Sequence, residues 1–366
     1  MKDKKWLTWI IDILLIFVVF RLCDTSGIKK YMIILMLSVL FFIRGMKKSW
    51  SADALLCLSM PMLTYLFLGT IGSTLNGHFY INTFKILAFW LVPLVAAFSI
   101  YVYAEDKMKY IVNIQMISIA FVYLGHRGIE VWKMLGSESI YAFTFGAFFL
   151  YYIFKKRWFW AVLSFALMCN GDKRITVLAT ACSLLILGVL WLFRYNEKLI
   201  YAVWGMTIGA IISYIYLICS GTLRYYSEGL GINTNGRMVM YDRMLEYFRG
   251  SKMFLGQGLG IVEENLQYWN ISSFGNLHND LLKFYFELGI IGLFIFLMSY
   301  GVMFFFVKRT SGKAEMAFML SVTMYSMILF TTDNVSIYIT YMLPLYSLCF
   351  AILSGNEKKE RESVYD

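Results

Sequence analysis

The sequence predicts an all-α, polytopic membrane protein with about twelve transmembrane helices. Of its 366 residues, 60% are hydrophobic and only 15% are charged, whereas soluble domains carry about 25% charged residues. Long apolar runs, such as residues 175–193 and 199–219, approach the ~20 residues that cross a bilayer. Such runs must be helical, because lipid offers an open backbone no hydrogen-bonding partner.

The apolar runs divide the chain into four regions. We expect nine N-terminal spans in residues 1–219, one large loop at 220–280, three C-terminal spans in 281–353 and a tail at 354–366. A connection as long as the loop at 220–280 is uncommon in compact folds and is often functional. The expected spans are 7–22, 31–43, 52–71, 81–103, 110–125, 139–154, 158–169, 175–193, 199–219, 281–307, 314–331 and 335–353.

The net charge of +10 is a topology signal rather than a nucleic-acid-binding surface. With the N-terminus inside, every short inner segment is basic, which is the positive-inside pattern. Both termini are therefore expected in the cytoplasm, and residues 220–280 outside. The basic inner segments are 2–5, 44–48, 107–109, 155–157, 194–198, 308–313 and 358–361.

The six cysteines lie in or at the ends of spans. They have no paired spacing and no accompanying histidines, so neither a disulfide framework nor a zinc site is predicted. We expect no metal and no cofactor.

The large loop is predicted to contain a helix that begins at about Asn235 and Gly236. Arg237 falls at the edge of its apolar stripe and in its first turn, and a cation in the first turn opposes the helix macrodipole. A snorkelling or ion-paired arginine is one explanation. A bound anion is the other, because a helix N-terminus already attracts phosphate. The apolar stripe comprises Met238, Tyr241, Leu245 and Phe248.

A glycine-rich run, Phe-Leu-Gly-Gln-Gly-Leu-Gly, follows at residues 254–260. No obvious helix follows it, so it lacks the strand-then-helix context of a dinucleotide fingerprint. Gly256 and Gly258 instead indicate a tight turn or a close approach of two backbones.

Ionisable residues cluster where the large loop enters the tenth span. His278 and Asn279 precede the span, and Lys283 and Glu287 lie in its first turns. Ionisable groups at such depth are costly and usually functional. The chain has three histidines, and the other two, His78 and His126, are interpreted as ordinary loop residues.

A second basic feature is the turn Asn-Gly-Asp-Lys-Arg at residues 170–174, which leads into the eighth span. Positive charge in a short outer connection runs against the topology rule. Either Asp172 pairs with Lys173 or Arg174, or the turn binds an anion. Lys85, one turn below the outer end of the fourth span, fits the same anion site or snorkels to the interface.

Together these motifs resemble the O-antigen ligase and polysaccharide polymerase (Wzy-type) superfamily of bacterial membrane proteins. The matching features occur in order along the chain. They are an arginine opening a mid-chain span, Gly-Arg at a loop helix, Phe-x-Gly-x-Gly-x-Gly, His-Asn-x-x-Leu and Glu-x-Gly-x-x-Gly. Where the family often has Ser-x-Arg before the eighth span, this chain has Asp172-Lys173-Arg174, and it lacks a tryptophan often found near Tyr241.

The resemblance implies a GT-C-like, metal-independent glycosyltransferase of the bacterial plasma membrane. Its donor would be an undecaprenyl-diphosphate-linked oligosaccharide, and its partners the bilayer, a flippase and a chain-length regulator, with no nucleic acid. Arg174 and Arg237 would contact the diphosphate, and His278 would lie beside the acceptor hydroxyl. Further substrate contacts are expected at Lys85, Lys173, Arg243, Gly256, Gly258, Asn279 and Glu287.

The chemistry of the residues agrees with this reading. A lipid diphosphate is already a good leaving group, and arginine stabilises its developing charge through bidentate hydrogen bonds. Histidine, with an ordinary pKa near 6.5, suits the deprotonation of a sugar hydroxyl.

Three functions remain open. The first is a polymerase of capsular polysaccharide, exopolysaccharide or O-antigen repeats, and the second is a ligase that moves finished glycan to a lipid or protein. The third is a flippase or transporter of lipid-linked glycan. Carriers usually show internal repeats and a charged cavity at the midplane; the absence of a repeat and the outer position of the candidate residues favour an enzyme.

Overall fold

The computed structural model describes residues 29–46, 52–128, 138–231, 236–269 and 276–365, and within them the fold is all-α. The expected span 7–22 and the expected cap residue Asn235 lie outside these ranges. Every other expected span overlaps a helix, although the last helix begins later than its span. The prediction of an all-α, polytopic membrane protein is confirmed.

Seven described helices are long and apolar enough to cross a membrane, and three more are apolar but shorter. The helices are α1 (Lys29–Gly45), α2 (Ala52–Leu75), α3 (Ile81–Ala104), α4 (Met108–Gly128), α5 (Tyr141–Phe154), α6 (Trp158–Asn170), α7 (Arg174–Leu192), α8 (Glu197–Cys219), α9 (Thr222–Gly229), α10 (Arg237–Tyr247), α11 (Lys252–Leu255), α12 (Ile261–Tyr268), α13 (Asp280–Ser311), α14 (Lys313–Phe330) and α15 (Ile339–Tyr365).

Helix α13 is the centre of the packing, with α2, α8 and α14 against it. Aromatic side chains fill the contact with α2. The Tyr65 ring centroid lies 4.8 Å from that of Trp90 and 5.0 Å from that of Phe284. Rings at such separations add to the stabilisation that comes from their buried area. The membrane body is therefore built around the helix that carries Asn279 and Asp280 at its start.

The glycine-rich run of the large loop is docked on a break in α13. Gly289 has φ +68° and ψ +177°, which interrupts the helix. The freed carbonyls of Phe286 and Glu287 accept hydrogen bonds from the backbone N–H groups of Gln257 (3.1 Å) and Gly258 (2.9 Å). The glycines predicted a close approach of two backbones, and the structure shows one between the glycine-rich run and α13.

Helix α12, at the end of this run, was not expected from the sequence. Its apolar residues Ile261, Val262 and Leu266 are buried, but they span barely two turns, too short a pattern to establish a period. Its N-cap is Gly260, at φ +81°.

The last helix begins later than the expected span 335–353. Residues 335–337 form a single 3₁₀ turn, and α15 begins at Ile339. The side chain of Asp280 accepts hydrogen bonds from the backbone N–H (2.7 Å) and the hydroxyl (2.8 Å) of Ser336. This contact from another helix holds the 3₁₀ turn in the connection at residues 331–338, ahead of the start of α15.

Alternate connections of the membrane helices meet on one face of the protein, which we call the site face. It comprises the α2–α3, α6–α7 and α14–α15 connections, residues 138–140 before α5, and the described parts of the large loop. Two contacts join the large loop to α2 and α3: Leu259 N–H donates to the Ser73 hydroxyl (3.0 Å), and the Thr83 hydroxyl donates to the Leu259 carbonyl (2.8 Å).

Candidate active site

His278 is held at the site face by its neighbours in sequence. Leu277 is buried before it, and Asn279 after it caps α13 by accepting a hydrogen bond from Leu282 N–H at 3.0 Å. Between these fixed points His278 adopts φ +53°, a left-handed conformation that is uncommon outside glycine and is concentrated at functional sites. Its side chain is 38% exposed, so the ring remains open to a ligand.

Asp333, in the α14–α15 connection, is the nearest charged partner of His278. Its Oδ1 lies 3.5 Å from Nδ1 of His278 and also accepts hydrogen bonds from Asn334 N–H (2.9 Å) and the Tyr338 hydroxyl (3.2 Å). A carboxylate at Nδ1 favours the tautomer with the proton on that nitrogen. The other ring nitrogen, Nε2, is then free to accept a proton.

Lys173 binds the opposite oxygen of the same carboxylate. Its ammonium lies 2.9 Å from Oδ2 of Asp333 and 2.9 Å from Glu138, so it is shared between two acids. The side chains of Lys173 and Asp333 are 14% and 7% exposed, and the Lys173 ammonium also lies over the Phe143 ring. A local ion pair with Asp172 was one of the two explanations of this basic turn, and for Lys173 the structure contains these two longer-range ion pairs instead.

The surroundings of Asp333 favour its ionised form. Burial alone would raise the pKa of this carboxyl, but the adjacent His278 ring and the Lys173 ammonium outweigh burial and lower the pKa. Asp333 therefore remains an anion at neutral pH, with one oxygen on the imidazole and the other on the ammonium.

Arg237 is the first residue of α10, and its N-cap Gly236 has φ +75°. It is half-buried and has no hydrogen bond or ion pair with any residue that the structure describes. The Tyr214 and Tyr241 hydroxyls lie within its electrostatic reach. Both hydroxyls accept hydrogen bonds from the Asn279 amide, at 2.8 and 3.4 Å. Asn279, which follows His278 in the chain, is therefore hydrogen-bonded to the two tyrosines that lie near this unpaired guanidinium.

Arg174 and Arg243 are exposed, at the start of α7 and within α10, and neither is ion-paired with any other described residue. Lys85 is half-buried, and its ammonium donates to Oδ1 of Asn82 at 2.8 Å. The Asn82 amide in turn donates to Glu264 at 3.1 Å. Lys85 thus belongs to a polar link between α3 and α12.

Glu287, Gly256 and Gly258 lie inside the protein rather than on its surface. One oxygen of Glu287 accepts from Gly260 N–H (2.8 Å), and the other accepts from the Tyr65 hydroxyl. A Cβ at Gly256 or Gly258 would collide with the backbone of α13 or of Ser73. Their expected role in substrate binding stays a prediction, whereas their contacts fix the loop to the membrane helices.

Asp333 is the residue that sequence reasoning missed. It stands in a short polar break, Thr-Thr-Asp-Asn at residues 331–334, between two apolar runs. An acidic residue in this break, on the same predicted side of the membrane as His278, was the one signal in the sequence that could have indicated Asp333 as a site residue. Its partners Lys173 and His278 are distant in sequence, so no local pattern indicates the contact.

An apolar groove of about 540 Å³ runs between α7, α8 and α14. Met206, Ile211 and Met327 are among its lining residues, and the Met206 side chain is 66% exposed, so the groove opens to the side. Its end at the site face is marked by Tyr214 and Thr331, where the Tyr214 hydroxyl donates to the Thr331 carbonyl at 3.0 Å. The groove therefore ends beside Asn279 and two residues from Asp333.

The fold is that of a multi-pass membrane protein, and the family match that follows suggests a glycosyltransferase-like enzyme. The protein-family model for O-antigen ligase matches residues 159–297, which confirms the family resemblance. The matched segment contains Arg174, Arg237, His278 and Asn279, while Asp333 lies beyond it. No curated protein matches the chain.

Proposed function

We propose that the protein polymerises repeat units of a bacterial surface polysaccharide. In this proposal it transfers glycan from an undecaprenyl-diphosphate donor to a sugar hydroxyl of another lipid-linked repeat. The observation that carries the proposal is the pairing of His278 with Asp333, with the unpaired Arg237 near the two tyrosines to which Asn279 is hydrogen-bonded. A base and an anion-binding group are the two functions that this transfer requires.

In the transfer step the acceptor hydroxyl attacks the anomeric carbon of the donor sugar. A new C–O bond forms while the bond between that carbon and the diphosphate oxygen breaks. The hydroxyl proton passes to Nε2 of His278, and the electron pair of the broken bond leaves with the diphosphate. Arg237 and Arg174 stabilise the negative charge that develops there, through bidentate hydrogen bonds.

Asp333 acts in this scheme as a positioning residue. It keeps the proton on Nδ1, so that Nε2 faces the acceptor as a base, and it stabilises the imidazolium that forms. Lys173 and Glu138 hold Asp333 in place, since the Lys173 ammonium lies 2.9 Å from both acids. The apolar groove that ends beside Asn279 supports a lipid-linked substrate, because its lining suits part of a polyprenyl tail.

The family description favours one alternative, a ligase that moves finished glycan to a lipid or protein acceptor. The same residues would catalyse that transfer. Glycan analysis of a deletion strain separates the functions. Single repeats on lipid indicate a polymerase, polymer that lacks its final anchor indicates a ligase, and lipid-linked repeats retained in the cytoplasm indicate a flippase.

The proposed location is the bacterial plasma membrane, with both termini in the cytoplasm and the site face outside. The basic inner segments support this orientation. Reporters fused after Arg157 and Lys313 should read cytoplasmic, and one at Gly229 should read external. A cytoplasmic signal at Gly229 would place the site on the wrong side for an externally displayed glycan.

A further inference from the structure

Partly exposed aromatic rings lie together at the end of α10 opposite Arg237. His78 and Tyr80 belong to the α2–α3 connection, Tyr247 ends α10, and Trp269 follows α12. We call these four residues the aromatic patch. They come from three segments of the chain, so tertiary structure rather than local sequence assembles them.

The rings of the patch are in contact. His78 and Tyr80 stack with centroids 5.4 Å apart, and the Tyr80 hydroxyl lies 3.1 Å from Nδ1 of His78. Tyr247 meets Trp269 edge to face at 5.8 Å. The segments that carry the two pairs are hydrogen-bonded to each other, because the Asn82 amide, two residues after Tyr80, donates to Glu264 of α12 at 3.1 Å. All four rings are half-buried, so packing fixes their orientation while part of each remains accessible.

Charged groups border the rings. The Lys252 ammonium lies 3.9 Å from the Tyr247 ring centroid and 3.4 Å from its carbonyl oxygen. Glu264 lies within electrostatic reach of Tyr80. Sugars present C–H faces that stack on aromatic rings and hydroxyls that hydrogen-bond at the ring edge. Fixed rings bordered by an ammonium and a carboxylate suit that chemistry.

The position of the patch relates it to the candidate active site. Helix α10 contains 11 residues from Arg237 to Tyr247, and at 1.5 Å per residue its two ends lie about 15 Å apart. A glycan whose diphosphate bound at Arg237 would have to extend by several sugars along α10 before reaching Tyr247.

We propose that the aromatic patch is a glycan subsite that binds sugars several units away from the diphosphate. The proposal rests on the proposed function and names the part of the substrate that this surface recognises. The subsite favours donors with several repeats over donors with one, and so retains a growing chain between transfers.

Two variants test the subsite by kinetics. Trp269→Ala removes one ring of the patch, and His78→Ala removes another. His78 lies in the short α2–α3 connection, where a substitution is least expected to damage folding. Tyr268→Ala is the matched control, because Tyr268 is adjacent to Trp269 but is 85% exposed. The purified full chain in lipid nanodiscs is assayed with lipid-diphosphate donors that carry either one repeat or several.

For the donor with several repeats, KM should rise about tenfold in both patch variants. For the one-repeat donor, KM and kcat should stay within about twofold of wild type, and the control should match wild type with both donors. An unchanged KM for the long donor overturns the proposal. An equal rise with both donors also overturns it, since that result reflects the diphosphate site or the fold.

Direct binding separates failure of the subsite from failure of the proposed function. Lipid-free oligosaccharide, released from the strain's own polysaccharide, is titrated against the wild type and both patch variants by saturation-transfer NMR. Signal in the wild type that is lost in both variants supports the subsite even where no transfer is measured. Equal signal in wild type and variants, or none in wild type, overturns it even where transfer is normal.

Discussion

Asp333 lies 3.5 Å from Nδ1 of His278 and joins the α14–α15 connection to the start of α13. The same carboxylate binds Lys173 at 2.9 Å, so a single side chain links three connections of the site face. Asp280, at the first turn of α13, fixes Ser336 and with it the connection that carries Asp333. The geometry of His278 therefore depends on contacts made far from it in sequence.

Replacing Asp333 with Asn keeps the size of the side chain but removes its charge. The imidazole loses the partner that fixes its tautomer and orientation, and a misplaced catalytic group costs about 10²-fold in rate. We expect kcat to fall by about that factor while KM for the lipid donor changes little. Steady-state kinetics of the purified variant measures both values, and an unchanged kcat would remove Asp333 from the mechanism.

The same substitution predicts a pH-dependent loss of stability. The folded-state pKa of Asp333 is lowered, so its ionised form stabilises the fold above the unfolded pKa of about 3.9. That contribution disappears as the pH falls through the folded pKa. Wild type should therefore be more stable than Asp333→Asn at pH 7, with a difference that shrinks below about pH 4. Thermal unfolding of wild type and Asp333→Asn from about pH 7 to below about pH 4 checks this prediction. A stability difference that does not depend on pH contradicts it.

Arg237→Ala should abolish product while leaving membrane abundance near that of wild type, because no described residue depends on its guanidinium for an ion pair. Arg237→Lys should recover activity only in part, since an ammonium lacks the bidentate geometry of guanidinium. Arg249→Ala is the matched control, because Arg249 is exposed just beyond the same helix. A polymer assay calibrated with wild type measures all three. Full activity of Arg237→Ala would exclude the diphosphate role.

Gly258→Ala should destabilise the docking of the large loop. Gly258 has φ +95°, and an added Cβ would collide with the backbone of Ser73; backbone strain of this kind costs about 1–3 kcal/mol. Gly229→Ala is the control, because a Cβ there meets only open space. Thermal unfolding and limited proteolysis of the loop should separate the two variants. Equal behaviour would show that the close approach is dispensable.

Most of the helices could be predicted from the sequence, because an apolar run in lipid must satisfy its backbone within the run. The helix that begins at Arg237 was also predictable from its apolar period. The start of the last helix was not, since Ser336 is held by Asp280 from another helix. Sequence periodicity contains no information about such a contact.

The candidate site was predicted in part. Arg237 was recognisable as a cation in the first turn of a helix, where it opposes the macrodipole. His278 was recognisable as an ionisable residue where the large loop enters a span. The glycine run predicted a close approach, but its partner, the break at Gly289, becomes visible only in the folded chain. The pairing of Asp333 with His278 could not be predicted either, because the two residues are distant in sequence and meet only in the folded chain.

The role of His278 as the catalytic base is tested most directly by transfer kinetics of three variants. His278→Ala, His278→Asn and His278→Gln are purified and assayed with lipid-diphosphate donor between about pH 5.5 and 8.5, the range in which a histidine titrates. We predict that all three lose roughly 10²–10⁴ in rate with folding intact, because neither amide accepts a proton near neutral pH. The wild-type rate should fall toward the acid end, where a protonated imidazole cannot act as a base. Wild-type rates for His278→Ala, or most of the activity retained by His278→Gln, would contradict the assignment.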